Sequence, residues 1–323
     1  MIRDRLEIFV FTYNRAAHLA STLGEFAEGP LKECAITILD NASTDSTPAV
    51  VAEFAGRLPA LSHVRHPKNI GGLANYLRAI ELAAKEYCWV VCDDDSFNFD
   101  HFGDVAEMIL AGGVDAVSVG VEGHGLTLGR RGTCAAFARE EPFFLAHSFV
   151  PSLIFKTSLF DSGIIRAGYD NIDTMFPHFP FLASLVRRDV SIAVSAKAVI
   201  SKSANVGYST YRFLTGWLKS CRKISERAVR SKALSEVFGG VRFWQNGIYC
   251  ALTEKAYRPE AAVAEYLELL AQARLTSLRV TLGLLCLLPL VAAPRWVHRP
   301  LWEAYRKYRA RKGLPLPCFD EGR

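Results

Sequence analysis

Cys88-Trp89-Val90-Val91-Cys92-Asp93-Asp94-Asp95 is a short apolar run that ends abruptly in three carboxylates. A few apolar residues bounded by polar ones read as a buried strand. The same arrangement recurs upstream. Residues 6–11, interrupted by Glu7, run into Thr12-Tyr13-Asn14-Arg15. Residues 35–39 run into Asp40-Asn41-Ala42-Ser43-Thr44-Asp45, and a third strand suggested at 61–64 precedes Asn69-Ile70-Gly71-Gly72. Helical spacing fills the gaps at 17–26, at 47–54 with Pro48 in the first turn, and at 72–84, where Leu73, Tyr76, Leu77, Ile80 and Ala84 share one side. A fifth apolar run covers 116–121. Such alternation predicts an α/β fold with a mainly parallel sheet. In open sheets of this kind ligands lie beyond the carboxyl ends of the strands. Four polar clusters at four strand ends therefore converge on one crevice.

The rest of the chain is less regular. Residues 120–132 are rich in glycine and read as a mobile loop, 151–155 as a strand, and 190–200 as two short strands. Tyr169-Asp170-Asn171-Ile172-Asp173-Thr174-Met175-Phe176-Pro177-His178-Phe179-Pro180 is dense in aromatic and polar groups. From about Tyr208 the chain turns helical and arginine-rich, with one helix expected over 211–234 and another over 260–273. Residues 280–293 are almost wholly apolar, with Pro289 inside, and 295–312 are basic with Trp296, Trp302, Tyr305 and Tyr308 interleaved. The apolar stretch is shorter than the roughly 20 residues that span a bilayer. Followed by the basic aromatic segment, it has the pattern of an anchor lying in an anionic membrane surface. The plainer alternative is a packed helix with a solvated basic tail. The expected division is 1–120, 121–205 and 206–323.

Bulk properties narrow the class. The 323 residues are half hydrophobic, enough for one large domain or two modest ones. A net charge of +5 suits anionic ligands and is too small to imply nucleic acid. The cysteines (Cys34, Cys88, Cys92, Cys134, Cys221, Cys250, Cys286 and Cys318) form no CxxC pair, which argues against a zinc ribbon or redox dithiol and fits a reducing, cytoplasmic compartment. Met1-Ile2-Arg3-Asp4-Arg5 leads directly into the first strand without a signal-peptide pattern.

Two carboxylates separated by one residue at a strand end can face one hard cation. Mg²⁺ and Mn²⁺ favour oxygen ligands and leave room for substrate phosphates. Such a metal neutralises charge growing on a departing diphosphate. Taken alone the acidic run reads more readily as a solvated loop, with Asp95 or Ser96 capping a following helix, and it is the apolar strand before it and the three other strand-end clusters that reverse this. Asp40 can accept a hydrogen bond from a base imide or ribose hydroxyl, or simply hold its own turn, with Asp45 as a helix cap. Asn69 to Gly72 either admits a ligand close to the backbone or is a helix-entry turn. Neither GxGxxG nor GxxxxGK[ST] is present, so a dinucleotide fold or a P-loop has no support.

Phe9-Val-Phe-Thr-Tyr-Asn-Arg15, Ile38-Leu-Asp-Asn-Ala-Ser-Thr-Asp45, Asn69-Ile-Gly-Gly72 and Asp93-Asp-Asp95 together resemble family 2 glycosyltransferases in order and spacing. The resemblance is clear over residues 5–120 and weaker to about 205. It implies a GT-A fold, a Rossmann-like mixed, mainly parallel sheet flanked by helices, here with a C-terminal helical extension. It also implies a nucleoside-diphosphate sugar donor (a UDP-sugar first), Mn²⁺ or Mg²⁺, and inversion by single displacement. Thr12, Tyr13, Asn14 and Asp40 would then hold the nucleotide, with Arg15, Asn69, Gly71 and Asp94 beside it. Asp93 would lie near the ribose or join Asp95 on the metal. The acceptor would be a glycan or polyprenyl-linked glycan at the cytoplasmic face of a bacterial membrane, for surface polysaccharide. An inverting transfer needs a general base. The Glu-Asp pair many members carry is missing, leaving Asp173, expected to start the helix that His178 continues, then Asp170, then His178. His178 is as readily a packed ring among Phe176, Phe179 and Phe181. Two other readings stay open. A sugar-phosphate nucleotidyltransferase would need a glycine-rich loop after the first strand. A non-catalytic membrane scaffold would explain the missing pair.

Overall fold

The computed structural model describes residues 1–122, 126–201, 210–239, 243, 247–248, 251–252 and 259–311. The chain divides into two compact units, Met1–Ile172 with Phe176–Ser203, and Asp173–Met175 with Ala204–Arg323.

The first unit is built on a mixed sheet of nine strands among the described residues. They are β1 (Leu6–Thr12), β2 (Ala35–Asp40), β3 (Leu61–Arg65), β4 (Tyr87–Cys92), β5 (Ser96–Phe97), β6 (Ala116–Val121), β7 (Arg131–Thr133), β8 (Leu153–Lys156) and β9 (Ser191–Ser201). Their order is β3-β2-β1-β4-β8-β6-β9-β5, with β7 also on β9. The pairs among β3, β2, β1 and β4 are parallel, as is β6 with β9, whereas β8 runs antiparallel to both its neighbours. Leu6, Ile8 and Val10 of β1 and Trp89 and Val91 of β4 share one core with Leu19, Leu23 and Phe26 from helix Ala16–Glu28. Helix Gly72–Leu82 packs against β1 and β4 and buries Tyr76, Leu77 and Ile80.

Register aligns the ends of the parallel strands. Thr12 pairs with Asp40, Asp40 with Arg65, and Phe11 with Cys92. The residues following β1, β2 and β4 therefore start side by side. Glu7, the charge inside the first apolar run, is buried. Its Oε1 accepts from the backbone N–H of Ala84 and from that of Lys85 at 2.7 Å. Taking the Ala84 N–H out of the helical ladder stops the helix at Leu82, two residues before the spacing suggested.

Several expectations change. Residues 190–200 form one strand, not two. Ser195 Oγ accepts from Gly120 N at 2.7 Å and donates to Lys197 O at 2.8 Å, carrying β9 through a bulge beside β6. A Cβ on Gly120 would lie 2.7 Å from Lys197 O, so only glycine fits there. Of the glycine-rich stretch, Gly120 lies in β6 and Gly132 in β7, and residues 123–125 lie outside the described residues. No helix follows the acidic run directly; β5 and the 3₁₀ turn Phe99–His101 come first, then helix Gly103–Ala111, for which no spacing was read.

In the second unit, 211–234 holds two helices, Thr210–Lys223 and Arg227–Phe238. The break is closed by Arg230 Nη1 donating to Ile224 O at 3.0 Å. Helices Pro259–Thr276, Leu278–Ala292 and Arg295–Arg311 follow. Tyr211 meets Tyr266 edge-on at 5.2 Å, and Trp217 Nε1 donates to Ala233 O at 2.9 Å, so the aromatics pin the bundle from within. Tyr208, Cys250, Cys318 and Lys312 lie outside the described residues. Among the described residues no single helix is long and apolar enough to cross a membrane, and the last two helices are bent by 110°.

Candidate active site

The loops after β1 and β2 are laced together. Asn14 N donates to Ser43 Oγ at 2.9 Å, and Thr44 N donates back to Asn14 Oδ1 at 2.7 Å. Asn14 and Ala42 both take left-handed backbone, φ 52° and 64°. Such strain persists where surrounding contacts impose it. Asp45 ties together the starts of two helices, accepting from Ala16 N through Oδ2 and from Thr47 N through Oδ1, both at 3.0 Å. Each such hydrogen bond contributes about 1 kcal/mol. Asp45→Ala is thus expected to cost about 2 kcal/mol, read as a lowered midpoint in urea unfolding.

Asp40 is wholly buried at the end of β2. Its Oδ1 accepts from Ser43 N at 2.7 Å, and its Oδ2 lies 3.3 Å from both His63 Nε2 and Arg65 Nε. Arg65 also donates to Ser43 O at 2.6 Å. Beside it, Asn41 Nδ2 donates to Asn69 Oδ1, Asn41 Oδ1 accepts from Ile70 N, and Asn69 Oδ1 accepts from Gly71 N. Gly71 sits at φ 86°, which suits glycine. Asp40 and Asn41 are thereby the interior props of the strand-end floor, with Asn69 and Tyr13 exposed at its rim. His63 and Arg65 escaped the sequence reading.

The acidic run is differentiated residue by residue. Asp93 Oδ2 accepts from Thr12 Oγ1 at 2.6 Å, and its Oδ1 lies 3.1 Å from Arg15 Nη1. Thr22 Oγ1 donates to the Asp93 carbonyl at 2.9 Å. Asp94 receives Arg15 Nη2 at 2.7 Å, so one guanidinium bridges two carboxylates. Asp95 is buried, and its Oδ2 accepts from Cys92 N at 2.8 Å. Its Oδ1 is buried with no hydrogen-bond partner. A buried carboxylate oxygen left unpaired is costly unless a cation joins it. Ligand atoms of Cys92, Asp94 and Asp95 lie within 4.8 Å of one another, close enough for a single ion. Asp93 is outside that group, its oxygens being engaged by Thr12 and Arg15.

Burial raises Asp95 to about 8, against the Cys92 N–H and helped by the neighbouring carboxylates. Burial likewise raises Asp93 to about 6, opposed by Thr12 and Arg15. A carboxyl whose folded pKa exceeds its unfolded value stabilises the fold at low pH, and that contribution is lost as pH rises from the unfolded pKa to the folded one. In chelator, thermal stability is therefore expected to decline between about pH 4 and pH 8. A divalent cation should restore it most strongly at the alkaline end. A midpoint independent of pH over that window would refute the burial argument.

The three base candidates differ sharply. Asp173 lies in the 3₁₀ turn Ile172–Thr174, is exposed, and pairs with Lys223 Nζ at 2.6 Å. That hydrogen bond holds its carboxyl below the usual range. It does not start the helix, which begins at Phe179 with His178 as its N-cap, because Met175 turns left-handed at φ 72°. Asp170 is the exposed last residue of helix Ser162–Asp170. His178 is buried with neither ring nitrogen hydrogen-bonded, its ring edge-on to Tyr76 at 5.9 Å and Phe176 at 6.0 Å. Burial pushes its pKa down to about 4, with the His147 backbone acting the other way.

Residues 7–179 match the profile of Glycosyl transferase family 2, more than half of the chain. The chain belongs to that family. The family match supports a glycosyltransferase, and the nucleotidyltransferase reading falls away. The chain's fold is GT-A-like with C-terminal helices. It is similar to S. aureus TarS crystallised with UDP-GlcNAc, at TM-score 0.61 and 19% identity, covering 96% of this chain and 92% of that one. It is also similar to a mannosyltransferase from Pyrobaculum calidifontis holding GDP-Man and Mn²⁺, at TM-score 0.55 and 18% identity over 88% and 87%. In sequence, uncharacterised proteins of Mycobacterium tuberculosis and Mycobacterium bovis are 32% identical over 97 residues. That stretch spans 28% of this chain and 27% of each relative.

Proposed function

We propose that this enzyme moves a sugar from a UDP-sugar to a lipid-linked glycan by one inverting displacement assisted by Mn²⁺ or Mg²⁺. The observation that carries the donor half is the unpartnered, buried oxygen of Asp95 at the end of β4. Asp95, with Asp94 beside it, would hold the cation, which supplies positive charge against the leaving diphosphate. Thr12 and Arg15 orient Asp93 for the ribose side, and Tyr13 and Asn14 line the floor over Asp40. The acceptor oxygen attacks the anomeric carbon as its bond to the diphosphate oxygen breaks. The hydroxyl proton passes to a ring nitrogen of His178. Of the three candidates this group alone is buried with no hydrogen-bond partner on its ring nitrogens. Its neighbour Tyr76 sits about one turn into the helix that begins at the Asn69–Gly71 floor.

The lipid-linked acceptor, and a location on the inner face of the cell membrane, are supported by the second unit. There a basic helix carrying Trp296 follows an apolar one whose outer side is exposed. Thermal shift across a panel of nucleotide sugars tests the donor. At a hundredfold excess over Kd a ligand stabilises by about 2.7 kcal/mol. A UDP-sugar should shift the midpoint with Mn²⁺ and only weakly without it. A shift from GDP-sugars alone would overturn the uridine choice.

A further inference from the structure

Helix Leu278–Ala292 carries two apolar seams. Val280, Leu284, Leu287 and Val291 face inward and are buried. Leu278, Leu282 and Leu285, on the opposite side, are 74%, 55% and 45% exposed. A helix apolar all round belongs in a core or in lipid, and here half of it meets solvent. Beside this outer seam lies a cavity of about 440 Å³ lined by Phe238, Phe243, Arg279, Val280, Gly283 and Cys286, among others. That is within the range of roughly 300–1,000 Å³ typical of ligand pockets. Gly283, lacking a Cβ, lets the Phe243 ring lie against the helix and form the cavity wall. Arg279 at the cavity lip is exposed and makes no ion pair among the described residues. After the bend, Trp296 is 77% exposed, and helix Arg295–Arg311 brings Arg299, Arg306, Lys307 and Arg311.

We propose that the outer face of helix Leu278–Ala292 seats an anionic glycerophospholipid of the membrane, its chain in the cavity beside Phe243 and its phosphate against Arg279. Charge decides the occupant. An apolar seam alone would suit a second copy of the chain, but an unpaired arginine at the mouth of an apolar cavity, with a basic aromatic helix following, matches a lipid that is apolar in the chain and anionic in the head. The inference rests on the membrane reading above and narrows it to a lipid-binding site.

Cys286 lines the cavity and is exposed, whereas Cys34, Cys88, Cys134 and Cys221 are buried. Its alkylation by a polar maleimide, followed by mass spectrometry on the full chain, therefore reports whether the site is covered. With phosphatidylglycerol vesicles the rate should fall about tenfold, in proportion to the time the site is occupied. Pure phosphatidylcholine should give little protection. Arg279→Glu should remove most of that preference, and Leu282→Asp should remove the protection, with circular dichroism unchanged in both. If the protein floats with phosphatidylglycerol vesicles while Cys286 reacts at its solution rate, the site is wrong and the membrane reading stands. If it does not float, both fail. Protection that needs no vesicles and grows with protein concentration would mean that a second copy covers the face, and would also overturn the proposal.

Discussion

Asp95→Asn is expected to cut sugar transfer by about a hundredfold to a thousandfold, the usual loss when one electrostatic stabiliser of developing charge is removed. The fold should survive. Asparagine has the same size, and its carbonyl oxygen can still accept from Cys92 N, the bond that positions Asp95 Oδ2. What disappears is a buried negative charge with one oxygen unpaired. In chelator the variant should therefore be at least as stable as the parent above pH 8, and the decline between about pH 4 and pH 8 should flatten. Turnover with saturating Mn²⁺ and a pH series of melting midpoints measure the two halves. Parental turnover would sink the metal assignment. Asp93→Asn makes the contrast, since it disturbs the bonds to Thr12 and Arg15 and should destabilise the strand-end floor instead.

His178→Phe is expected to lower transfer by about 10²- to 10⁴-fold, the range for losing a general base, with donor affinity unchanged. Phenylalanine keeps a ring among Tyr76, Phe176 and Phe179 and removes only the two nitrogens that lack partners. If His178 were a packing ring, this variant would retain its rate. The pH dependence gives a second readout. A histidine whose folded pKa is about 4, below its unfolded value near 6.5, contributes stability above pH 6.5 that is lost as pH falls toward 4. The phenylalanine variant should resist acid better across that window. In the parent, transfer should be insensitive to this group near neutrality and fall only as the ring protonates near pH 4.

The strand-end logic was readable because it rests on period and position. Apolar runs closed by Thr12-Tyr13-Asn14-Arg15, Asp40 and Asp93 say where strands stop, and parallel pairing then brings those stops together. Which atoms engage which was not readable. Arg15 was placed near the donor, but its bridge between Asp93 and Asp94 depends on the turn after β1 folding back over the end of β4. His63 and Arg65 were missed because a short strand with polar residues at three of its five positions looks solvated. Their two-residue spacing, which puts both on one face, was the available signal. The break at Ile224 was hidden by helix-forming residues on either side and is made by Arg230, six residues on. Cys92, which closes the apolar run 88–92, places its thiol near Asp94 and Asp95, a proximity that spacing does not reveal. The assignment of Asp173 as helix start failed on one left-handed residue, Met175, which spacing does not reveal.

The lacing of Asn14 to Ser43 and Thr44, with Asp45 joining both helix starts, bears on the thermodynamics of donor capture. A floor made of two independent loops would be ordered afresh each time a nucleotide arrived, and part of the binding free energy would be spent on that ordering. Here the chain entropy is surrendered once, when the protein folds. If the floor takes the donor as proposed, association then approaches rigid-body docking, and loosening the lace at Asp45, which is not assigned to the donor, is expected to weaken affinity.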